Sequence, residues 1–165
     1  MKTLKIYYLD EAYINYLREF DLKVFYNKNT TRPYVGVVYY FNDLYYFAQL
    51  SSPKPKHLKM SQKAIDVFKI DDGRLGIINI NNMIPVPIEC VREVLPLIQD
   101  NKKYKNLVEN QTTYINDNKQ KLFKKINRFV LQYRKGFLPS NIKERCCNFD
   151  LLEKKCKLYR KDIYN

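Results

Sequence analysis

The chain is predicted to be an α+β protein, with a twisted, mainly antiparallel sheet of about six strands flanked by about four helices. Three observations carry that expectation. Short β-branched and aromatic runs fill the first half, helical periodicity dominates the second, and a compact turn joins two of the runs into a hairpin.

Leu4 to Leu9 is a short apolar run and reads as a strand. Asp10 stands as the N-cap of a helix over Glu11 to Phe20, where Tyr13, Leu17 and Phe20 recur at helical spacing beside Ile14. Polar residues from Asn27 to Thr31 mark a loop. The β-branched and aromatic run from Pro33 to Phe41 turns back at Asn42-Asp43 into Leu44 to Leu50, a hairpin signal. A Pro/Lys loop follows, then strand-like Ala64 to Ile70, a turn at Asp71 to Arg74, and an apolar strand from Leu75 to Ile80. Met83 to Pro87 reads as an edge strand because of its prolines, and a short helical turn is expected over Glu89 to Leu95. Tyr104, Leu107, Val108, Gln111, Tyr114 and Ile115 form one amphipathic stripe. Leu122, Phe123, Ile126, Phe129, Val130 and Tyr133 form another, ended by Gly136. A last helix runs from an Asn148 cap with Leu152, Cys156 and Tyr159 on one face.

At 165 residues and 45% apolar, the chain is expected to be a single domain over residues 1–165, large enough for a real core. No run approaches the roughly 20 apolar residues of a membrane helix, and the N-terminus lacks the flanks of a signal peptide. The expectation is a soluble, cytoplasmic protein that does not engage a membrane. Cys90, Cys146, Cys147 and Cys156 show neither zinc spacing nor a disulfide framework, and read as reduced, partly buried thiols. No Walker loop, dinucleotide fingerprint, Gly-x-Ser-x-Gly elbow or carboxylate pair is present, so neither metal nor cofactor is expected.

The net charge of +13 is concentrated in one region. Residues 101–165 hold 17 basic and 6 acidic side chains, whereas the first hundred are nearly balanced. Such an excess is the footprint of a polyanion, most often nucleic acid. Lys119, Lys121, Lys124, Lys125 and Arg128 lie opposite the apolar stripe of the second long helix and are candidate RNA contacts. Lys28 and Thr31 in the polar loop, with Lys56 and Lys59, complete that set.

The densest chemistry lies in Ser51-Ser52-Pro53-Lys54-Pro55-Lys56-His57, directly after an aromatic strand. Hydroxyls and ammonium groups hold phosphate oxygens, and imidazole moves protons near neutral pH. RNA carries its own nucleophile, so cleavage by transesterification needs proton transfers and charge stabilisation at phosphorus. Ser51, Ser52 and Lys54 sit close enough to meet one phosphate, and Arg32, just before the central strand, is a fourth contact with a bidentate fork. His57 is the acid or base candidate by its ordinary pKa, against the plainer reading of a surface histidine among lysines.

In order and spacing, several blocks resemble the ToxN/AbiQ family of endoribonuclease toxins from type III toxin–antitoxin systems. They are Tyr16 to Val24, Arg32 to Val37, Leu50 to His57, Gly76 to Pro87, and Cys147 to Cys156. The resemblance spans essentially the whole chain. It implies a Kid/MazF-like fold and metal-independent cleavage of single-stranded, often A-rich RNA, leaving 2′,3′-cyclic phosphate and 5′-hydroxyl ends. It also implies inhibition by a repeat antitoxin RNA that the toxin cuts into pseudoknots, in growth arrest or phage abortive infection. The expected partners are that antitoxin RNA, in a ring such as three toxins with three RNAs, and cellular or phage mRNA as substrate. By position the resemblance assigns the site to Arg32, Ser51, Ser52 and Lys54, and leaves His57 a candidate. The competing expectation is a non-catalytic RNA-binding module that uses the same basic surface.

Overall fold

The computed structural model describes residues 3–159. Its elements follow in chain order as β1 (Lys5–Leu9), α1 (Glu11–Arg18), β2 (Tyr34–Phe41), β3 (Leu44–Ser51), α2 (Pro55–Lys59), β4 (Val67–Lys69) and β5 (Ile77–Pro85). After these come β6 (Val91–Glu93), α3 (Lys102–Asp117), α4 (Lys119–Lys135), α5 (Ser140–Lys143) and α6 (Phe149–Leu158). The strands form one six-stranded sheet in the order β4-β5-β3-β2-β1-β6, antiparallel at each pairing. The α+β expectation therefore holds.

Several boundaries differ from expectation, each for a local reason. The loop expected after Ser52 contains α2, which starts with Pro55 in its first turn, where a missing N–H is harmless. Helices as short as α2 and α5 carry no readable periodicity, so six helices stand where about four were expected. The strand expected over Ala64 to Ile70 shortens to Val67–Lys69. The two runs expected at Leu75 to Ile80 and Met83 to Pro87 are one strand, β5, lying between β4 and β3. Pro85 is tolerated there because β4 pairs only with Ile77 to Asn79, while Pro85 faces Tyr46 of β3. The turn expected over Glu89 to Leu95 is a 3-10 turn at Ile88–Cys90 followed by the edge strand β6.

The apolar stripes read from the sequence close one core. Tyr13, Leu17, Tyr46, Phe47, Ile126, Phe129, Phe149 and Leu152 are all buried in it. Helix α3 packs on β1, α4 on β2 and α6 on β5. Asn116 clasps the start of β1, accepting from Leu4 N at 2.8 Å and donating to Leu4 O at 2.9 Å. Gln111 Nε2 donates to Leu75 O at 2.9 Å, tying α3 to the turn before β5. These bonds fix the second half of α3 against the sheet.

Arg134, in the last turn of α4, is engaged in the fold. It bonds Glu153 at 2.6 Å, pairs with Asp150, and lies 4.6 Å over the Phe41 ring. Tyr46 OH also donates to Glu153, at 2.6 Å, so the buried carboxylate is shared by β3 and α4. The four cysteines are buried free thiols, as expected. Burial pushes Cys146 up to about 12 and Cys156 up to about 11, which removes thiolate character. Among the described residues no helix is long and apolar enough to cross a membrane.

Candidate active site

Sheet register builds the floor of the site. Tyr34 of β2 stands opposite Gln49 of β3, and Gln49 opposite Asn79 of β5. Side chains two apart on a strand share a face, so Ser51 lies beside Gln49. Ser51 Oγ donates to Gln49 Oε1 at 3.0 Å and accepts from Asn79 Nδ2 at 3.0 Å, while Asn79 Nδ2 also donates to Gln49 Oε1. The Ser51 hydroxyl is thus held from both sides. Ser52 is exposed, and among the described residues its hydroxyl has no hydrogen-bond partner. The two serines differ in kind: one is fixed, the other free to donate.

Two glycines let the backbone come close behind this segment. Gly76 has φ +104°, and a Cβ there would sit 2.1 Å from Ser51 O. Gly73 has φ +90°, and a Cβ would sit 2.5 Å from His57 O. Any larger residue would push the Ser51 to His57 segment out of position.

His57 is buried, only 1% exposed. Its Nδ1 accepts from Lys54 N at 3.1 Å, and its own N–H donates to Lys54 O at 2.9 Å. An accepting Nδ1 is unprotonated, so the neutral ring fits this arrangement. Burial first, and then the charges of Lys56 and Lys54, lower its pKa below the usual 6.5. The histidine lies behind Lys54 and does not line the cleft described next.

The opposite wall comes from the loop before β2. Lys28, Asn29 and Thr30 adopt φ of 49°, 56° and 67°, which costs non-glycine residues of order 1–3 kcal/mol each. Glu11 at the start of α1 offsets that cost. Its Oε2 accepts from Thr30 N at 2.9 Å and from the Nδ2 of buried Asn27 at 3.0 Å. Thr31 Oγ1 donates to Lys28 O at 2.6 Å. Arg32 is aimed by two contacts: Nε donates to Tyr26 O at 2.7 Å, and the guanidinium lies 5.0 Å over the Phe25 ring.

Together these segments enclose a cleft of about 330 Å³. Lys28, Thr31, Arg32, Ser51, Ser52 and Lys54 all line it, so six residues singled out from the sequence meet in one place. Pro33, Gln49, Leu50 and Tyr104 line it too and were not anticipated. Tyr104 arrives from the first turn of α3, whose N-cap Asn101 accepts from Tyr104 N at 3.1 Å. Burial, with a hydrogen bond to Tyr8, pushes its phenol far up, so it stays neutral.

The other predicted contacts lie elsewhere. Lys56 and Lys59 are exposed on α2 and do not line the cleft. Lys121, Lys124, Lys125 and Arg128 line a second groove of about 460 Å³, joined there by Lys63 and floored by Ile65 and Phe129. Burial lowers the Lys125 pKa against the pull of Asp66. Lys119, half-buried at the start of α4, does not line that groove. Among the described residues, no group of three or more His, Cys, Asp or Glu could hold a metal ion.

A family model described as toxin ToxN of type III toxin–antitoxin systems matches residues 5–157. The chain belongs to the ToxN family. It is 34% identical over 164 residues to an endoribonuclease ToxN of Bacillus thuringiensis subsp. kurstaki, covering 94% of this chain and 84% of that one. It is 35% identical to the endoribonuclease AbiQ of Lactococcus lactis subsp. lactis, covering 96% of this chain and 91% of the other. A third relative is the endoribonuclease ToxN of Pectobacterium atrosepticum, 31% identical with 96% and 95% covered. Solved ToxN-family structures superpose closely. One, from work on a processed non-coding RNA that regulates a bacterial antiviral system, has a TM-score of 0.82 at 29% identity, covering 95% of this chain and 99% of that one. AbiQ, described as a lactococcal anti-phage endoribonuclease of the type III system, has a TM-score of 0.80 at 31% identity, covering 96% and 98%.

Proposed function

We propose that the cleft between the Lys28 loop and the Ser51–Lys54 segment is where this ToxN-family endoribonuclease cuts single-stranded RNA without a metal. The convergence of Arg32, Ser51, Ser52 and Lys54 on one cleft supports that reading more than any other observation. The 2′-oxygen attacks phosphorus, the P–O5′ bond breaks, one proton leaves the 2′-hydroxyl and one reaches the 5′-oxygen. The products are a 2′,3′-cyclic phosphate and a 5′-hydroxyl. Arg32 and Lys54 neutralise the charge that builds on the non-bridging oxygens, and the free Ser52 hydroxyl donates to one of them. Ser51, locked between Gln49 and Asn79, sets the position of its neighbour. His57 acts through Lys54, whose backbone it holds.

The second groove, with Lys121, Lys124, Lys125 and Arg128, serves the phosphate backbone of bound RNA, as do Lys56 and Lys59 at the lip of α2. In this reading the chain works as one cytoplasmic domain on cellular or phage mRNA. It is restrained by a repeat antitoxin RNA in a closed ring, such as three toxins with three RNAs. A solved relative with a TM-score of 0.80, from work on selective toxin inhibition by a non-coding RNA pseudoknot, supports such a partner.

The test is cleavage of a single-stranded RNA in excess chelator, with product ends analysed chemically. Wild type is expected to yield cyclic phosphate ends, and Ser52→Ala to slow the reaction on the order of 10²–10³-fold, the usual cost of losing one such donor. Binding of RNA without cyclic phosphate product would support the module reading instead. Loss of activity in chelator would overturn the metal-independent mechanism.

A further inference from the structure

A third groove, of about 530 Å³, has its own lining residues but touches the cleft through two of them. Phe25 lines it while carrying Arg32 over its ring, and Asn79 lines it while holding Ser51. The groove also contains Leu22, Asn81 and Asn82. Its three amides are not equivalent. Asn79 Nδ2 is committed to Gln49 and Ser51. Asn82 Nδ2 is committed to the carbonyls of Lys23 at 2.9 Å and Arg145 at 3.3 Å, which pins the 21–33 loop to β5. The Asn81 side chain makes no hydrogen bond among the described residues, although the residue is only 4% exposed. Neither of its amide atoms is sealed from solvent, so the amide opens to the groove with donor and acceptor both unfilled.

Charge argues against a second phosphate seat. Arg145 is spent on Asp66 at 3.0 Å, which leaves Lys23 as the one unpaired cation on the wall among the described residues. An aromatic ring, an aliphatic side chain and a buried amide are instead what an unstacked base requires: a platform and a donor–acceptor edge.

We propose that Asn81 is a specificity-determining residue, reading the nucleobase that flanks the scissile phosphate while Phe25 and Leu22 supply its apolar seat. Adenine is the base whose edge an asparagine amide meets bidentately, and it is the base this groove favours. The inference rests on the cleft being the cleavage site.

Four single-stranded RNAs that differ only in the base beside the cleaved bond test it. Each is made in a cleavable form and in one whose reacting 2′-hydroxyl is replaced by hydrogen. Affinity for the uncleavable set is measured for wild type, Asn81→Ala and Phe25→Ala, with melting temperatures as a check on folding. Wild type is expected to prefer adenine on the order of tenfold, and Asn81→Ala to bring the four RNAs within about twofold. Phe25→Ala is expected to weaken all four alike. Equal binding of the four by wild type overturns the proposal, as does a preference that survives Asn81→Ala. Asn81→Ala that melts like wild type yet cuts none of the cleavable RNAs also overturns it, because it would put the amide in the chemistry. If no RNA is cut in chelator but the binding preference follows Asn81, the metal-free cleavage reading falls and the base seat stands.

Discussion

His57 illustrates how a residue type and its environment can point to different roles. Among the loop residues it alone has a pKa suited to proton transfer, yet it is buried behind Lys54 with Nδ1 already accepting. Its pKa is lowered in the fold, so as pH falls below 6.5 the unfolded chain takes up the proton first and the folded state loses stability. Protonation also removes the acceptor for Lys54 N. Cleavage is therefore expected to weaken on the acid side, over a range that starts near pH 6.5 and extends below it. His57→Asn, which keeps an acceptor and cannot titrate, is expected to retain most activity and flatten that acid limb in a pH–rate profile. Abolished cleavage in the same variant would return His57 to direct proton transfer. The hydroxyls, the lysine and the arginine were legible because phosphate chemistry draws on a short menu of side chains. Gln49, Asn79 and Tyr104 were not, since amides and tyrosines are common and their role emerges only once register and helix docking bring Gln49 and Tyr104 to the cleft and Asn79 against Ser51.

Elements were legible in proportion to their length. The hairpin of β2 and β3 and the long helices α3 and α4 each carry enough residues for a period of 2 or 3.6 to show. Strands of three residues, such as β4 and β6, have no period to read, and their pairing is decided by neighbours distant in sequence. Long-range polar contacts are equally silent in the sequence. Glu153 of α6 joins Tyr46 of β3 and Arg134 of α4 through one buried oxygen. Without Glu153 the buried Tyr46 hydroxyl loses its acceptor while Arg134 keeps Asp150, so Glu153→Ala is expected to cost about 2 kcal/mol in urea unfolding. The proposed cleavage cleft lies elsewhere, and cleavage by the folded variant is expected to persist.

For the whole molecule, the one-sided charge was legible as a total and its division was not. The basic residues separate into a cleft with Lys28, Arg32 and Lys54 and a distinct groove with Lys121, Lys124, Lys125 and Arg128. The logarithm of single-stranded RNA affinity is expected to fall linearly with the logarithm of salt, by about 0.7 per neutralised phosphate. Replacing the four groove cations with alanine is expected to flatten that slope, by about 0.7 for each phosphate no longer neutralised, in a fluorescence titration with long RNA. With an RNA short enough to fill only the cleft, the same replacement leaves the slope where it was.

The separation of cleft and groove also bears on residence time. On the proposed reading, an RNA that spans both is held by two linked attachments, and when one end lets go the other keeps it at high effective concentration, so rebinding outpaces escape. A short target has a single attachment and leaves at the cleft's own off-rate. Two RNAs with the same sequence in the cleft thus meet different fates, one turned over and the other retained, according to how far each reaches along the surface.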